Sequence, residues 1–462
     1  MALIKSISGI RGTIGGKTGD NLTPEDVVKF VAAYAQWIKK QGNKNTYTIV
    51  VGRDARISGQ MVKMLVNATL SGMGIEVMDI DLASTPSTEM AVAHFNADGG
   101  LILTASHNPK EWNALKMLNN KGEFLNADEG KEILDIAEGG AIEYAPVDKL
   151  GAVTSTRYHD EHIESILKLD LVDKARIAAK NFKIVVDGIN SVGALIIPDL
   201  LRALGVTEII EINSEANGDF AHPAEPLPEN VKETCEAVKT NKADLGIVVD
   251  PDVDRLAFID ENGIMFGEEY TIVAVADYVL RNKPGNTVSN LSSSRALRDV
   301  TAQAGGNYFA SAVGEVNVVT TMKAENAIIG GEGNGGVIYP ELHYGRDALV
   351  GIALFLSYLA KKNITVSALK KAYPAYTIIK DKITLSPDLD VDKLLDDISK
   401  VYQNEKINRI DGVKIDFDNG WIHLRKSNTE PIIRIYCEAP TSGEAYKLAS
   451  KMKENINNSF TN

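Results

Sequence analysis

Short apolar runs alternate with polar loops and amphipathic segments along most of the chain. The first clear unit begins at residues 47–51, where mostly apolar positions predict a buried strand. A polar loop follows at 52–59, and the apolar spacing and terminal glycine of 60–72 predict a helix. Residues 75–80 predict the next strand. This order of strand, loop, helix and strand is typical of α/β folds.

The same unit recurs twice further along the chain. The second and third copies are predicted at 182–187, 194–204 and 208–212, and at 286–291, 295–304 and 308–310. The copies are separated by about 100 to 130 residues, which indicates three related domains.

The pattern changes after residue 365. Alternating strands and amphipathic helices are predicted at 376–385, 390–401, 413–417, 421–424, 432–436 and 444–457. We therefore expect an α/β protein with three related α/β domains, mixed sheets and a smaller α+β C-terminal domain around a central cleft. The predicted domains are 1–150, 151–255, 256–368 and 369–462, with a linker at 366–375.

Length and composition are those of a soluble multi-domain enzyme. The 462 residues exceed what one core supports, 44% are hydrophobic, and no apolar run is long enough to span a bilayer. The net charge of −13 disfavours nucleic acid and anionic membranes as partners. Only two cysteines, Cys235 and Cys437, and no visible secretory signal predict a cytoplasmic protein without a disulfide framework.

A serine follows the apolar run 100–103 directly, at the predicted carboxyl end of a strand. Ser106 and His107 precede an Asn-Pro pair that forces a loop, and the stretch reads Ser-His-Asn-Pro-x-x-x-Asn-x-x-Lys up to Lys116. Ligands bind at this end of the strands in open α/β sheets. Ser106 is therefore a candidate nucleophile, although such a serine alone more often closes a turn.

Three aspartates follow a second buried strand, in Leu245-Gly-Ile-Val-Val-Asp-Pro-Asp-Val-Asp-Arg255. On an extended backbone, Asp250, Asp252 and Asp254 would all point to one side. Three like charges so close together favour a bound cation, and oxygen ligands select Mg²⁺ or Ca²⁺. A calcium EF-hand loop is disfavoured because Arg255 stands where its glycine is required.

A glycine-rich stretch, Gly330-Gly-Glu-Gly-Asn-Gly-Gly336, lacks the Lys-Ser/Thr ending of a nucleotide-binding P-loop. Glu332, Gly333 and Asn334 could bind vicinal hydroxyls of a sugar. In Arg425-Lys-Ser-Asn-Thr-Glu-Pro-Ile-Ile-Arg434, hydroxyls, an amide and two arginines suit a phosphate dianion. The candidate phosphate-binding residues are Arg425, Ser427, Asn428, Thr429 and Arg434.

These four motifs, in this order, resemble the α-D-phosphohexomutase family, which includes phosphoglucomutase, phosphomannomutase and phosphoglucosamine mutase. The resemblance covers essentially the whole chain. It implies that Ser106 is a phosphoserine, that Asp250, Asp252 and Asp254 hold Mg²⁺ against its oxygens, and that Arg11 and Arg255 lie near it. It also suggests Lys116 as a general acid or base, with His107 in support; the spacing does not decide which of them moves the proton.

The resemblance implies that a hexose 6-phosphate and 1-phosphate are interconverted through a bisphosphate intermediate, with one Mg²⁺ per chain and a hexose 1,6-bisphosphate as activator. The glycine-rich loop departs from the family's usual Gly-Glu-x-Ser-Gly-His at Asn334 and Gly336 and most resembles the loop of archaeal-type phosphoglucosamine mutases. The resemblance therefore favours glucosamine phosphate, and mannose and glucose phosphates are the alternatives. A sugar phosphatase and a non-catalytic sugar-phosphate sensor are the other open classes, whereas an esterase would need a Gly-x-Ser-x-Gly elbow. The oligomeric state stays open, with a homodimer as one candidate, and Glu315, His343 and Arg346 have no assigned role.

Overall fold

The computed structural model describes residues 3–6, 9–384, 390–426 and 432–459. The chain forms two compact units, each built from two separate segments. The first unit comprises Met1–Thr271 and Gly335–Ser367, and the second comprises Ile272–Asn334 and Ala368–Asn462.

The described residues form β-strands and α-helices throughout both units. The strands are β1 (Ile4–Ser6), β2 (Gly9–Thr13), β3 (Thr48–Arg53), β4 (Glu76–Leu82), β5 (Gly99–Leu103), β6 (Trp112–Leu118), β7 (Val153–Ser155), β8 (Lys183–Asp187), β9 (Glu208–Ile212), β10 (Leu245–Val249), β11 (Leu256–Asp260), β12 (Asn286–Asn290), β13 (Tyr308–Ser311), β14 (Ala327–Glu332), β15 (Gly336–Ile338), β16 (Thr377–Thr384), β17 (Lys406–Asn408), β18 (Val413–Phe417), β19 (Gly420–Lys426) and β20 (Ile432–Ala439). The helices are α1 (Pro24–Lys40), α2 (Gly59–Gly72), α3 (Thr85–His94), α4 (Ala127–Gly139), α5 (His159–Leu167), α6 (Lys174–Lys180), α7 (Gly193–Ala203), α8 (Lys232–Thr240), α9 (Glu268–Asn282), α10 (Ala296–Gln303), α11 (Glu315–Ala324), α12 (Ala348–Lys362), α13 (Val366–Lys371), α14 (Val391–Val401) and α15 (Ser442–Ser459).

The first sheet is mixed and has seven strands in the order β1-β2-β6-β5-β3-β4-β7. Strands β3, β4, β5 and β7 run parallel, whereas β6 pairs antiparallel with both β5 and β2. The carboxyl ends of β3, β4 and β5 therefore share one edge, and the loops that follow these strands are neighbours.

Helix α1 shows how the sequence forms the core beside this sheet. Thr23 accepts a hydrogen bond from the backbone N–H of Asp26, whose carboxylate bonds back to Thr23, and Pro24 occupies the first turn. Its apolar face buries Phe30 and Val31 in the main hydrophobic cluster of the first unit. The apolar spacing of residues 24–38, with Thr23 as a candidate N-cap and Pro24 at the first position, predicts this helix, and the structure confirms it.

The second sheet has the order β11-β10-β8-β9. Its strands β8, β9 and β10 are parallel, and β11 returns antiparallel to β10. Strand β7 belongs to the first sheet and β11 to the second, so both strands lie beyond the boundaries predicted at residues 150 and 255. Strand β11 joins the second sheet because the tight turn after β10 returns the chain antiparallel to β10.

The second unit contains the third α/β copy and the C-terminal domain. Strands β12, β13 and β14 are parallel, with β12 in the middle. The C-terminal sheet is antiparallel, in the order β16-β20-β19-β18-β17, and is packed by α14 and α15 around Ile415, Leu424 and Ile435. The fold is thus three α/β domains with mixed sheets and a smaller α+β domain, as predicted.

One connecting segment differs from the prediction. Residues 366–375, expected to be a linker, begin with the short helix α13. Val366 and Leu369 of this helix are buried, which gives the segment an apolar face and explains why it folds. Among the described residues, no helix combines the length and the apolar character that crossing a membrane requires.

Candidate functional site

Ser106 lies in the loop between β5 and β6, and the chain presents its side chain in an unusual backbone conformation. Its φ of +50° is in the left-handed region, which non-glycine residues enter at a cost. The conformation is held because the N–H of Ser106 donates to Thr104 Oγ1 at 2.9 Å. Ser106 is buried, so its hydroxyl is fixed rather than freely rotating in solvent.

Arg56, in the polar loop after β3, stabilises the loop that carries Ser106, which we call the serine loop. Its fully buried guanidinium pairs with Asp54 at 2.9 Å and donates to the carbonyl oxygens of four loop residues. These residues are Ser106, Asn108 at 2.8 Å, Pro109 at 2.7 Å and Trp112 at 3.0 Å. Because the guanidinium donors of Arg56 are used on these carbonyls and on Asp54, Arg56 fixes the backbone that carries the hydroxyl.

The three aspartates lie in the turn between β10 and β11. The sequence suggested that they alternate on an extended backbone, but the structure differs. Val253 has a φ of +63° and the chain turns back on itself. The carboxylates of Asp250, Asp252 and Asp254 nevertheless converge, with one oxygen from each lying within 4.8 Å of the others. A strained turn, rather than strand periodicity, therefore brings them together.

The serine loop and the aspartate turn meet directly. The hydroxyl of Ser106 donates to Asp250 Oδ2 at 3.0 Å, and the backbone N–H groups of Asp254 and Arg255 donate to Asp250 Oδ1. Burial, together with the charges of Asp254 and Asp252, raises the pKa of Asp250 well above its usual value. The site thus places a hydroxyl against a carboxylate whose charge is unfavourable without a nearby cation.

Two cationic side chains contact the other aspartates. Lys116 donates to Asp252 Oδ2 at 2.8 Å, and Arg346 donates to Asp254 Oδ2 at 2.6 Å. Burial lowers the pKa of Lys116, but the charges of Asp252 and Asp254 outweigh burial and raise it overall. Lys116 is therefore an ammonium at neutral pH and can donate a proton.

The donor set fits one divalent cation. Asp252 Oδ1 and Asp254 Oδ1 are buried and have no hydrogen-bond partner among the described residues. Buried carboxylate oxygens without donors are costly, and oxygen atoms are the ligands of hard cations such as Mg²⁺. With Asp250 beside them, these oxygens would hold the ion next to Ser106 Oγ.

Arg11 and Arg255 bring positive charge to the serine, and His107 lies beside it as a neutral ring. His107 Nδ1 lies 3.4 Å from Ser106 Oγ, and Arg11 donates to Asn108 in the same loop at 3.3 Å. Burial and the charge of Arg255 lower the pKa of His107 far below its usual value, so its imidazole is neutral. Arg255 Nε lies 3.8 Å from Asp250 Oδ2, which suits the binding of an anionic group on the serine.

The predicted sugar-binding residues lie in the second unit, where β14 ends. Glu332 is buried, and its Oε1 accepts hydrogen bonds from Asn290 Nδ2 at 2.7 Å and from the N–H of Gly314 at 3.1 Å. The N–H of Gly333 donates to Ser293 Oγ at 2.9 Å, and Asn334 Nδ2 lies 3.4 Å from Glu332 Oε2. The carboxylate is thus oriented by fixed donors.

The predicted phosphate-binding residues are described only in part. Arg425 in β19 pairs across the strands with Arg434 in β20, so the two arginines are side by side at the base of the hairpin. Ser427, Asn428 and Thr429 lie outside the described residues. Arg425 Nε is 2.9 Å from Asp411 Oδ2.

The structure therefore groups the site residues by unit. Ser106, His107, Lys116, Arg11, Arg255 and the three aspartates meet within the first unit, and Glu332 and Arg425 belong to the second. That the two groups serve one substrate stays a prediction.

Several residues that build the site were not singled out from the sequence. Thr85, after β4, donates through Oγ1 to Asp252 Oδ2 at 2.7 Å, and Arg56 and Thr104 hold the serine loop. Arg56 and Thr85 follow parallel strands, so the same strand-end argument that identified Ser106 could have found them. Arg346 has no such signal. Of the other unassigned residues, His343 Nε2 lies 3.3 Å from Asp347, and Glu315 is buried at the start of α11.

Four family models match the chain in order. They are the phosphoglucomutase/phosphomannomutase alpha/beta/alpha domains I, II and III, over residues 3–142, 160–263 and 267–376, and the C-terminal domain, over 386–455.

Curated and solved proteins resemble the chain over nearly its whole length. A phosphoglucomutase/phosphomannomutase of Thermococcus kodakarensis is 36% identical over 94% of this chain and 95% of its own. A phosphoglucosamine/phosphogalactosamine mutase of Sulfurisphaera tokodaii is 34% identical over 98% and 99%. The crystal structure of a phosphoglucomutase/phosphomannomutase family protein of Burkholderia thailandensis superposes with a TM-score of 0.83 at 24% identity, covering 98% of this chain and 97% of that one.

The contacts of Arg56 give a first testable prediction. Arg56→Lys keeps a charge for Asp54 but cannot reach four carbonyls, so the loop loses about 1–3 kcal/mol of local stability. Amide hydrogen exchange should become roughly tenfold to hundredfold faster in residues 105–112. Arg53→Lys, at the end of β3 and paired with the half-exposed Asp81, is the control and should leave that segment unchanged. Equal exchange in both variants would contradict the role of Arg56.

The aspartate turn gives a second prediction. Mg²⁺ at a hundredfold excess over its Kd should stabilise the folded protein by about 2.7 kcal/mol, measured as a rise in the thermal midpoint. Asp254→Asn should abolish this response, whereas Asp260→Asn, at the end of β11, should keep it.

The stabilisation by Mg²⁺ should also grow with pH. The raised pKa of Asp250 means that the cation-free folded state binds a proton that the unfolded state has already lost, so stability without cation falls as pH rises through that pKa. The cation replaces the proton and removes this loss. A response that is independent of pH, or that survives in Asp254→Asn, would show that the ion binds elsewhere.

Proposed function

The chain belongs to the α-D-phosphohexomutase family, whose members include phosphoglucomutase and phosphomannomutase, and from this premise we propose that it interconverts glucosamine 6-phosphate and glucosamine 1-phosphate. The enzyme is thus an isomerase of phosphohexoses, and the proposal concerns its sugar and the roles of its residues. Mannose and glucose phosphates are the alternative substrates.

The contact between Ser106 and Asp250 is the observation that carries the mechanism. A hydroxyl fixed 3.0 Å from a buried carboxylate triad suits a phosphoryl group held between a serine and a cation. In this mechanism phospho-Ser106 is the donor, and a sugar hydroxyl attacks its phosphorus. The bond from phosphorus to Ser106 Oγ breaks as the bond to the sugar oxygen forms.

Proton transfer follows from the charge states of two neighbours of the serine. The attacking hydroxyl loses a proton, and Ser106 Oγ gains one. The ammonium of Lys116 can supply the proton that Ser106 Oγ gains and can recover the one that the attacking hydroxyl loses, so the step balances. We therefore assign Lys116 to the acid and base role, and the neutral His107, 3.4 Å from Ser106 Oγ, to orienting that oxygen.

Asp250, Asp252 and Asp254 would hold Mg²⁺, since their oxygens form a compact set and two of these oxygens have no donor in the described part of the chain. When bound, the ion supplies Lewis-acid stabilisation of the charge on the phosphoryl oxygens. Arg11 and Arg255 orient the same oxygens from the protein side. Their positive charge partly offsets the charge of a phosphorylated serine.

Glu332 and Arg425 would bind the other end of the substrate, its ring hydroxyls and its existing phosphate. The bisphosphate formed in the first step must turn around before its second phosphate can return to Ser106. Both phosphates then need a cationic contact in either orientation, which is the role of Arg425 and its loop. A hexose 1,6-bisphosphate would serve as activator by phosphorylating Ser106.

The preference for glucosamine phosphate is supported by the loop Gly-Glu-Gly-Asn-Gly-Gly at residues 331–336 and by the name of the Sulfurisphaera tokodaii relative. The Thermococcus kodakarensis relative, with similar identity, is named for glucose and mannose phosphates, so identity alone does not rank the sugars. Free Cys235 and Cys437 agree with a cytoplasmic enzyme that acts on small sugar phosphates.

The test is turnover of three purified sugar phosphates. The protein, with Mg²⁺ and glucose 1,6-bisphosphate, should isomerise glucosamine 1-phosphate with a kcat/KM at least about tenfold above that for mannose or glucose 1-phosphate, since one well-placed hydrogen-bonding group supports such a ratio. Products are separated by chromatography, and inorganic phosphate is measured in parallel. Equal rates on all three would refute the sugar preference. Release of inorganic phosphate without isomerisation would indicate a phosphatase instead.

A further inference from the structure

Asp411 lies in the turn between β17 and β18 and contacts two parts of the second unit, the segment at Val313 and the predicted phosphate-binding residue Arg425. Its Oδ2 accepts a hydrogen bond from the N–H of Val313 at 2.9 Å and lies 2.9 Å from Arg425 Nε. Val313 precedes Gly314, whose N–H donates to Glu332. One carboxylate thus connects the predicted phosphate-binding arginine to the segment that orients the predicted sugar-binding glutamate.

A second connection runs through the backbone of Asp411. Its carbonyl oxygen lies 2.6 Å from His423 Nε2, and His423 Nδ1 lies 2.9 Å from Ser292 Oγ. Burial lowers the pKa of His423 to about 4, so the ring is neutral at pH 7. Because a carbonyl can only accept, Nε2 carries the proton, and Nδ1 accepts from Ser292. The neighbouring Ser293 accepts from Gly333.

Arg425 has few other restraints. Both Arg425 and Asp411 are about one-fifth exposed, and Asp411 is the one acidic partner of Arg425 in the described part of the chain. An arginine side chain has about 2 kcal/mol of rotamer entropy to lose on binding a ligand. The ion pair with Asp411 restrains the guanidinium, so part of this loss occurs before the ligand arrives.

We propose that Asp411 is a positioning residue for substrate binding: it orients the Arg425 guanidinium towards the phosphate and fixes its position relative to Glu332. The proposal rests on the proposed function, which assigns phosphate to Arg425 and the sugar ring to Glu332. Asp411 itself is assigned no contact with the phosphate or with the sugar ring. Its effect on the substrate therefore depends entirely on Arg425.

In this role Asp411 fixes the distance between Arg425, which would bind the phosphate, and Glu332, which would bind a ring hydroxyl. The turn at Asp411 is hydrogen-bonded to Val313 and, through His423, to Ser292. The next residue, Ser293, accepts a hydrogen bond from Gly333, which follows Glu332. Movement of Arg425 alone would change that separation. The arrangement thus favours a ligand in which both groups are held at one fixed distance, as in a hexose phosphate.

The test measures binding of glucosamine 6-phosphate by calorimetry, separately from turnover. Asp411→Asn keeps an oxygen for the N–H of Val313 but loses the charge that orients Arg425. We expect the Kd to rise about tenfold, as loss of one charge-assisted contact implies, with an unchanged thermal midpoint. Asp392→Asn is the matched control, because Asp392 pairs with the adjacent Lys426 at 3.3 Å on an exposed surface, and its Kd should equal that of the wild type.

A double-mutant cycle separates positioning from a general structural effect. In an Arg425→Gln background, Asp411→Asn should not change the Kd further, because the residue it acts through is gone. Additive losses in the double variant, or a Kd of Asp411→Asn equal to that of the wild type, would overturn the proposal. Since binding is measured apart from turnover, wild-type protein that binds but does not isomerise would refute the proposed function alone.

Discussion

The hydrogen bond between Ser106 and Asp250 joins two loops that are 144 residues apart in the sequence, and the rest of the site is arranged around it. Both loops are held in left-handed backbone conformations, at Ser106 and at Val253. Such conformations cost about 1–3 kcal/mol each and persist only when the surroundings determine them. Arg56 and the backbone donors to Asp250 provide these surroundings.

Charge balance is the second constraint on this site. Three buried carboxylates face Lys116, Arg346 and Arg255, yet two carboxylate oxygens have no donor among the residues that the structure describes. Full pairing by protein groups would leave no ligand for a cation, and no pairing would make the cation-free fold costly. The observed arrangement is intermediate between these two, with three cationic partners for the carboxylates and a set of oxygens that could hold an ion. In the second unit, the ion pair of Asp411 with Arg425 likewise restrains a predicted binding group before a ligand arrives.

The sequence predicted strands such as β3, β8 and β10 and the position of Ser106, because local apolar runs and strand ends carry that information, whereas β6 and the three-residue strands β1 and β17 were not predicted. Helix α1 with its Thr23 cap was predicted for the same reason. The geometry of the aspartate turn was not, since the periodicity of a strand suggested an extended backbone where Val253 turns. Contacts such as that of Arg346 with Asp254, 92 residues away, leave no local pattern in one sequence, and Asp411 lacks one as well.

The most direct test is to locate the phosphoryl group that the proposed mechanism transfers from a hexose 1,6-bisphosphate to Ser106. After brief incubation with glucose 1,6-bisphosphate and Mg²⁺, proteolysis and mass spectrometry should find one phosphate on the peptide that contains Ser106. The label should require the cation and be absent in Ser106→Ala. Phosphate on a different residue, or full isomerase activity in Ser106→Ala, would contradict the account.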